Sequence, residues 1–286
     1  MPTFLWLILL VADPVRLTTD GLDKGRPAYS PDGMTLTFSR HEAGGLHIWQ
    51  VLMDVGKPGP ARRVTKRPVP DYDGVFSTDG SRLLLVIVTQ SGTQGNLDIA
   101  SVPAEGGEPK TLIGDVNGKL AHAEWPAPSP DGKSFAFSST HEGNQEIYTA
   151  KADGTGIVRV TQSPGTDAHP CWTPDGTRLV FATDRWSGLE LASAKADGTG
   201  LIRLTESRGL DDYPAVSPDG KRLAFVSNRD GNFEVYVSRI DGTGAVNLSR
   251  HPGRDTMPTW TPDGRGVTYV SGRDGGMDLD TRWVRP

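Results

Sequence analysis

The sequence predicts an all-β fold, a six-bladed β-propeller with four antiparallel strands per blade. Three observations carry that expectation. A four-residue anchor recurs six times, a constant order of strand-like segments follows each anchor, and the start of the chain supplies the segment that the last unit lacks. The anchors begin at Ser30 (SPDG), Ser77 (STDG), Ser129 (SPDG), Thr173 (TPDG), Ser217 (SPDG) and Thr261 (TPDG), spaced by 47, 52, 44, 44 and 44 residues. A period of roughly 40–50 residues is the signature of propeller blades. Pro presets φ, Asp bonds the nearby backbone and Gly accepts positive φ, so each anchor reads as a tight turn between two strands.

The second strands follow at Leu36 to Ser39, Leu83 to Val88, Phe135 to Ser138, Leu179 to Ala182, Leu223 to Ser227 and Val267 to Val270. They are rich in β-branched and aromatic residues. Third strands start seventeen residues past the anchor at Glu146, Glu190, Glu234 and Asp278; His47 takes that place in the first unit, and Asp98 arrives four residues late in the second. A DGTG turn at Asp153, Asp197 and Asp241 then leads to fourth strands such as VRVT, IRLT and VNLS.

The chain ends give the sharpest expectation. A hydroxyl closes the fourth strand twelve residues before the next anchor, at Thr65, Thr161, Thr205 and Ser249, and Thr18 stands twelve residues before Ser30. The last unit stops after its third strand. Val15 to Thr18 is therefore expected to be the fourth strand of the final blade, closing the ring and removing an open sheet edge. The second unit is longer than the others; its inserts, Ser91 to Asn96 and Gly114 to Glu124, are expected to be loops gathered on one rim, where binding loops concentrate.

Composition agrees with this fold: 35 Gly and 22 Pro, with 36% hydrophobic residues, imply many turns between short buried strands. The net charge of −5 is spread along the chain, which excludes a basic stripe for nucleic acid. One cysteine, Cys171, excludes an intrachain disulfide framework and a multi-cysteine zinc site. The apolar run Phe4 to Ala12 is too short to span a bilayer as a helix and suits a secretory h-region. Residues 1–12 are thus expected to be a signal peptide or N-terminal extension, and 13–286 the propeller.

Six [ST]-[PT]-D-G anchors, preceded by strands such as PAYS, YPAVS and MPTWT and followed by segments like EIYTAK, resemble the TolB-like β-propeller repeats from Val15 onward. That resemblance implies a six-bladed, WD-repeat-like propeller, a role in binding proteins of the bacterial envelope, and a periplasmic or secreted location. TolB carries an α/β domain ahead of its propeller that has no counterpart in this sequence. Similar propellers also accompany hydrolase domains in peptidases.

No G-x-S-x-G, H-E-x-x-H, P-loop, dinucleotide fingerprint or EF-hand loop occurs, so no catalytic apparatus is recognisable. His41-Glu42 and His141-Glu142 occupy corresponding segments and read as structural loop pairs, Arg229-Asp230 and Arg273-Asp274 taking their place elsewhere. Six residues before the anchors, Asp71, Asp167, Asp211 and Asp255 recur, with Lys24 and Ala123 in the other two units. With Asp73, Glu124 and Asp212 they are expected either to form a negative funnel at the channel mouth, suited to a basic peptide, calcium or another divalent cation, or to pair with Arg185, Arg229 and Arg273. Four residues before the anchors the chain varies: Arg26, Asp73, Trp125, His169, Tyr213 and Met257. Variation at one geometric position suits a recognition surface, and Trp125, His169, Tyr213 and Met257 are interface-type residues. Trp172 and Trp260, directly before their anchors, read as inter-blade core, like Tyr29 and Phe76. The sequence thus points to a monomeric, non-enzymatic protein- or peptide-binding scaffold of the envelope. The rivals are a metal-dependent hydrolase or lyase using His169 and the Asp ring, and the propeller remnant of a peptidase.

Overall fold

Each anchor closes its turn with its own side chains. In the computed structural model, which describes residues 13–54, 57–91, 94–114, 122–186, 188–273 and 275–284, Ser30 Oγ donates to Asp32 Oδ1 (2.6 Å), while Asp32 Oδ1 accepts the Met34 N–H (2.9 Å). Ser30 Oγ also accepts the Thr35 N–H (2.9 Å), and Gly33 takes φ of +72°. The other five anchors repeat the hydroxyl-to-aspartate bond. These bonds hold Asp32, Asp131 and Asp175 below the usual carboxylate range and Asp79 at about 2. A Cβ on Gly33 would lie 3.2 Å from Pro262, so the first anchor packs directly on the last.

The described residues form six antiparallel sheets. Blade one holds Lys24–Tyr29, Thr35–Glu42 and Gly45–Asp54, with the short strands Lys57–Pro58 and Arg62–Arg63 both pairing with the third. Blade two holds Asp71–Phe76, Arg82–Ser91, Gln94–Pro103 and Lys110–Ile113. Blade three holds Ala123–Pro128, Ser134–Ser139, Glu146–Lys151 and Val158–Arg159; blade four holds Asp167–Trp172, Arg178–Thr183, Glu190–Lys195 and Ile202–Arg203. Blade five holds Asp211–Val216, Arg222–Ser227, Glu234–Arg239 and Val246–Asn247. Blade six holds Asp255–Trp260, Gly266–Ser271 and Asp278–Trp283, completed by Val15–Arg16 from the start of the chain.

That closure follows the expected register, with Val15 opposite Thr281 and Arg16 opposite Asp280. Its chemistry copies the other blades. Thr161, Thr205 and Ser249 each donate a hydroxyl to the acid that starts the third strand and accept the backbone N–H one residue later (2.9 Å in all three). Thr18 does the same, donating to Asp278 Oδ1 (2.7 Å) and accepting the Leu279 N–H (2.9 Å). Where His47 replaces the acid, Asp71 takes over: it accepts from Thr65 Oγ1 and from the Ile48 N–H (3.1 Å).

One expectation is corrected. Ser91 to Asn96 is not a plain loop, because the second hairpin lengthens instead, pairing Thr89 with Asn96 and Ser91 with Gln94. Extending the ladder satisfies backbone groups that a loop would leave to solvent. Most of the Gly114 to Glu124 insert, and all of Phe4 to Ala12, lie outside the described residues.

The core is six inter-blade layers, and their side chains are volume-matched. The residue directly before an anchor packs on the preceding blade at the seventh position after that blade's own anchor. Where the former is large (Trp172, Trp260, Tyr29), the latter is small (Ala136, Ala224, Thr268). Where the former is Val216, smaller than those rings, the latter is Val180, larger than Ala or Thr. Trp172 and Trp260 also donate their indole N–H to the neighbouring blade's Ala127 and Ala215 carbonyls (3.0 and 2.9 Å). Among the described residues no helix is long and apolar enough to cross a membrane.

Two stability predictions follow from these contacts. Thr18→Ala removes two hydrogen bonds, one of them to a carboxylate, and should cost about 2 kcal/mol in denaturant melts; a change within 0.3 kcal/mol would show that the closing strand is held by other means. Trp172→Ala should cost ~3–5 kcal/mol and Ala136→Leu ~1–3 kcal/mol, whereas the double variant should recover at least ~1 kcal/mol of the sum. Simple additivity would reject the volume match.

Candidate functional site

The centre of the ring is made by a β-bulge repeated in every inner strand. Between the fifth and second residues before each anchor the register shifts, so two residues oppose one on the second strand: Trp125 and Pro126 face Phe137, and His169 and Pro170 face Phe181. The first bulged residue adopts a left-handed backbone in all six blades: Arg26 (φ 36°), Asp73 (55°), Trp125 (57°), His169 (55°), Tyr213 (51°) and Met257 (52°). Proline follows in five of them; lacking an N–H, it is tolerated where the ladder is interrupted. A non-glycine residue at positive φ is uncommon and costs roughly 1–3 kcal/mol, so six at one position mark a site that the surrounding blades enforce.

These residues meet across the channel. His169 and Tyr213 stack with ring centroids 4.2 Å apart at 18°, and Trp125 meets His169 edge-on at 4.3 Å. The Arg26 guanidinium lies 4.7 Å from the Trp125 ring centroid and donates to the Pro126 carbonyl (2.7 Å); the Arg26 N–H points at Met257 Sδ (3.1 Å). His169 Nδ1 is 2.5 Å from Asp212 Oδ1, which also accepts the Tyr213 N–H (2.7 Å). Together they form a floor with two different sides. On the anchor side is a cavity of about 360 Å³ lined by Arg26, Trp125, His169, Tyr213, Met257 and the bulge prolines. Cys171 also lines it, and burial pushes its thiol up to about 12, so it is not a ready nucleophile. Asp73, Glu124, Tyr72 and Asp212 do not line that cavity.

The ten expected site residues separate into two sets. Trp125, His169, Tyr213, Asp73, Glu124 and Asp212 cluster at the floor. Asp71, Asp167, Asp211 and Asp255 do not form a funnel: all four are 0% exposed and tied into the blade framework. Asp167 pairs with Arg185, Arg229 Nη2 donates to both carboxylate oxygens of Asp211 (2.9 Å each), and Asp255 pairs with Arg273 (3.4 Å). Charge-assisted pairs of this kind satisfy carboxylates that burial would otherwise penalise. Burial pushes the Asp167 and Asp255 carboxyls up while their arginines pull them down, the net direction being upward. In blade one Lys24 fills the Asp position and reaches Asp278 of blade six (2.8 Å). The acids of the two His-Glu pairs hold arginines, Glu42 accepting from Arg40 (2.6 Å) and Glu142 from Arg159 (2.5 Å). Among the described residues no three His, Cys, Asp or Glu side chains come together in a way that would hold a metal ion.

Residues 110–212 and 199–279 match the sequence profile of the TolB beta propeller domain, PD40. The chain belongs to the TolB β-propeller family. Within it, the Tol-Pal system protein TolB of Geobacter sulfurreducens is 42% identical over 43 residues, 15% of this chain and 10% of that protein. This TolB-family chain spans less than half the length of the curated relatives it matches. The crystal structure of TolB from Acinetobacter baumannii superposes with a TM-score of 0.63 at 20% identity, covering 94% of this chain and 67% of that one. An oligogalacturonate lyase in complex with manganese superposes at 0.61 with 15% identity, covering 97% of each chain. These superpositions show a shared fold.

Asp73 is the unusual titrating group. It is only 6% exposed, and burial pushes its carboxyl up to about 6 against the pull of Arg26, with Glu124 pushing the same way as burial and His169 opposing. Burial and the Glu124 and Asp73 carboxylates raise the Tyr72 phenol, and burial with Asp212 pushes Tyr213 up to about 12. Because Asp73 holds its proton more tightly folded than unfolded, its contribution to stability falls as pH rises from about 4 to about 6 and then stays flat, by at most about 3 kcal/mol. Asn tolerates the same left-handed backbone. Asp73→Asn should therefore melt higher than the natural chain at pH 7 and alike at pH 3.5. Equal melting at both values would show that the carboxyl is not desolvated.

Proposed function

We propose that this TolB-family propeller is a non-enzymatic scaffold of the cell envelope that binds a protein or peptide partner on its channel floor. The carrying observation is the contrast between frame and floor. Anchors, hydroxyl-to-acid ties and arginine pairs repeat from blade to blade, while the six bulged residues differ in charge, size and aromaticity although they share one backbone geometry. A repeat built for itself would repeat there too. The half-buried rings of Trp125, His169 and Tyr213 beside Asp212 and Glu124 supply the aromatic and polar mixture of an interface hot spot. Family membership and the apolar segment Phe4 to Ala12 support the periplasm as the location. A metal-dependent hydrolase would need His169 and the Asp ring around one point, whereas Asp167, Asp211 and Asp255 each face an arginine and His169 faces Asp212.

The test is affinity capture from the native envelope fraction, read by mass spectrometry. The natural chain and the surface control Glu206→Gln should capture the same partner, and the Trp125→Ala/Tyr213→Ala variant should lose it while keeping its far-UV spectrum and cooperative melt. Undiminished capture by the folded double variant would reject the floor as the binding site.

A further inference from the structure

Asp73 has every structural reason to be paired, yet among the described residues no donor reaches its carboxylate. The neighbouring guanidinium, Arg26, is spent on main-chain oxygens: Nη2 on Pro126 O (2.7 Å) and, more weakly, Nη1 on Asp73 O (3.4 Å). The Asp73 N–H is held by Ser39 Oγ (2.9 Å), which fixes the backbone without touching the acid. Asp167, Asp211 and Asp255, which stand two residues earlier in their strands than the bulge position of Asp73, are fully buried and each pairs with an arginine from its own blade; Asp73 has no such pair among the described residues. A carboxylate that is nine-tenths buried and lacks hydrogen bonds is costly, so its retention calls for a compensating partner.

The groups around Asp73 say what that partner is. Glu124 adds negative charge near Asp73, and Asp212 adds more beside Tyr213; neither lines the cavity. Tyr72, Trp125, His169 and Tyr213 contribute rings, and ring faces favour cations over anions. A divalent metal would need several convergent ligands, and the described residues offer no such group of three. A nitrogen cation needs only one buried carboxylate and polarisable walls.

We propose that Asp73 receives a single nitrogen cation, a lysine ammonium or arginine guanidinium, delivered into the channel by the partner. This rests on the channel-floor reading above and names the chemistry the partner brings. Arg26, already held beneath the floor, sets the depth at which an incoming cation stops, since like charges repel.

The probes are n-butylammonium, n-butylguanidinium, neutral n-butanol and Ca²⁺, titrated against the intact chain. The readout is the Trp125 indole N–H resonance, assigned with Trp125→Phe. Either organic cation should shift that resonance saturably, and the one that binds more tightly identifies the side chain. Butanol and Ca²⁺ should give no saturable shift. Asp73→Asn, folded by its melt, should weaken the cation at least tenfold. Equal binding by Asp73→Asn, an equal response to butanol, saturation by Ca²⁺ in place of the amines, or no response to either cation would each overturn the proposal. If the cations fail while partner capture still depends on Trp125 and Tyr213, the channel-floor reading stands and only the cation assignment falls.

Discussion

The architecture depends on one small hydrogen-bonded unit, the hydroxyl that bridges the third strand's first acid and the next backbone N–H. In the inner blades it fastens the weakest element, a fourth strand of two residues, to its sheet. In the last blade the same unit, made by Thr18, Asp278 and Leu279, fastens the two ends of the chain together. Beside it, blades six and one are held by the packing of Gly33 on Pro262, the Tyr29–Thr268 bond and the Lys24–Asp278 pair.

Closure then makes the bulge useful. A left-handed residue on an isolated strand would be a strained defect; six of them, held by a closed ring, become a set of side chains aimed at one axis. The blades bear the strain through volume-matched layers and buried ion pairs, which is why those features repeat and the floor does not. Frame and floor are thus physically separate layers of the same strands, two residues apart.

Much of this was legible in the sequence because it rests on local chemistry at fixed spacing. The anchor turn needs a hydroxyl, then Asp and Gly in order, and Thr18 could be matched to its equivalents by counting. The Asp ring was legible only as two alternatives, since residue types alone do not reveal whether a carboxylate faces the axis or an arginine; the arginines at Arg185, Arg229 and Arg273 were the deciding signal. The bulge was missed, although an X-Pro pair before five anchors, inside an otherwise regular strand, announces it. The role of Tyr72 and the lack of a partner for Asp73 depend on how three neighbouring blades converge, and no spacing within one repeat encodes that.

The joining of Val15–Arg16 to the final sheet also has a temporal side. Arg16 bonds Asp280 across 264 residues of sequence, so the closing segment must wait for a partner synthesised 264 residues after it. Until then the nascent protein is an open arc with a bare edge, exposed to pairing with the wrong strand. A chaperone that shields this edge, or export before folding, would protect the chain during the interval that its own topology imposes.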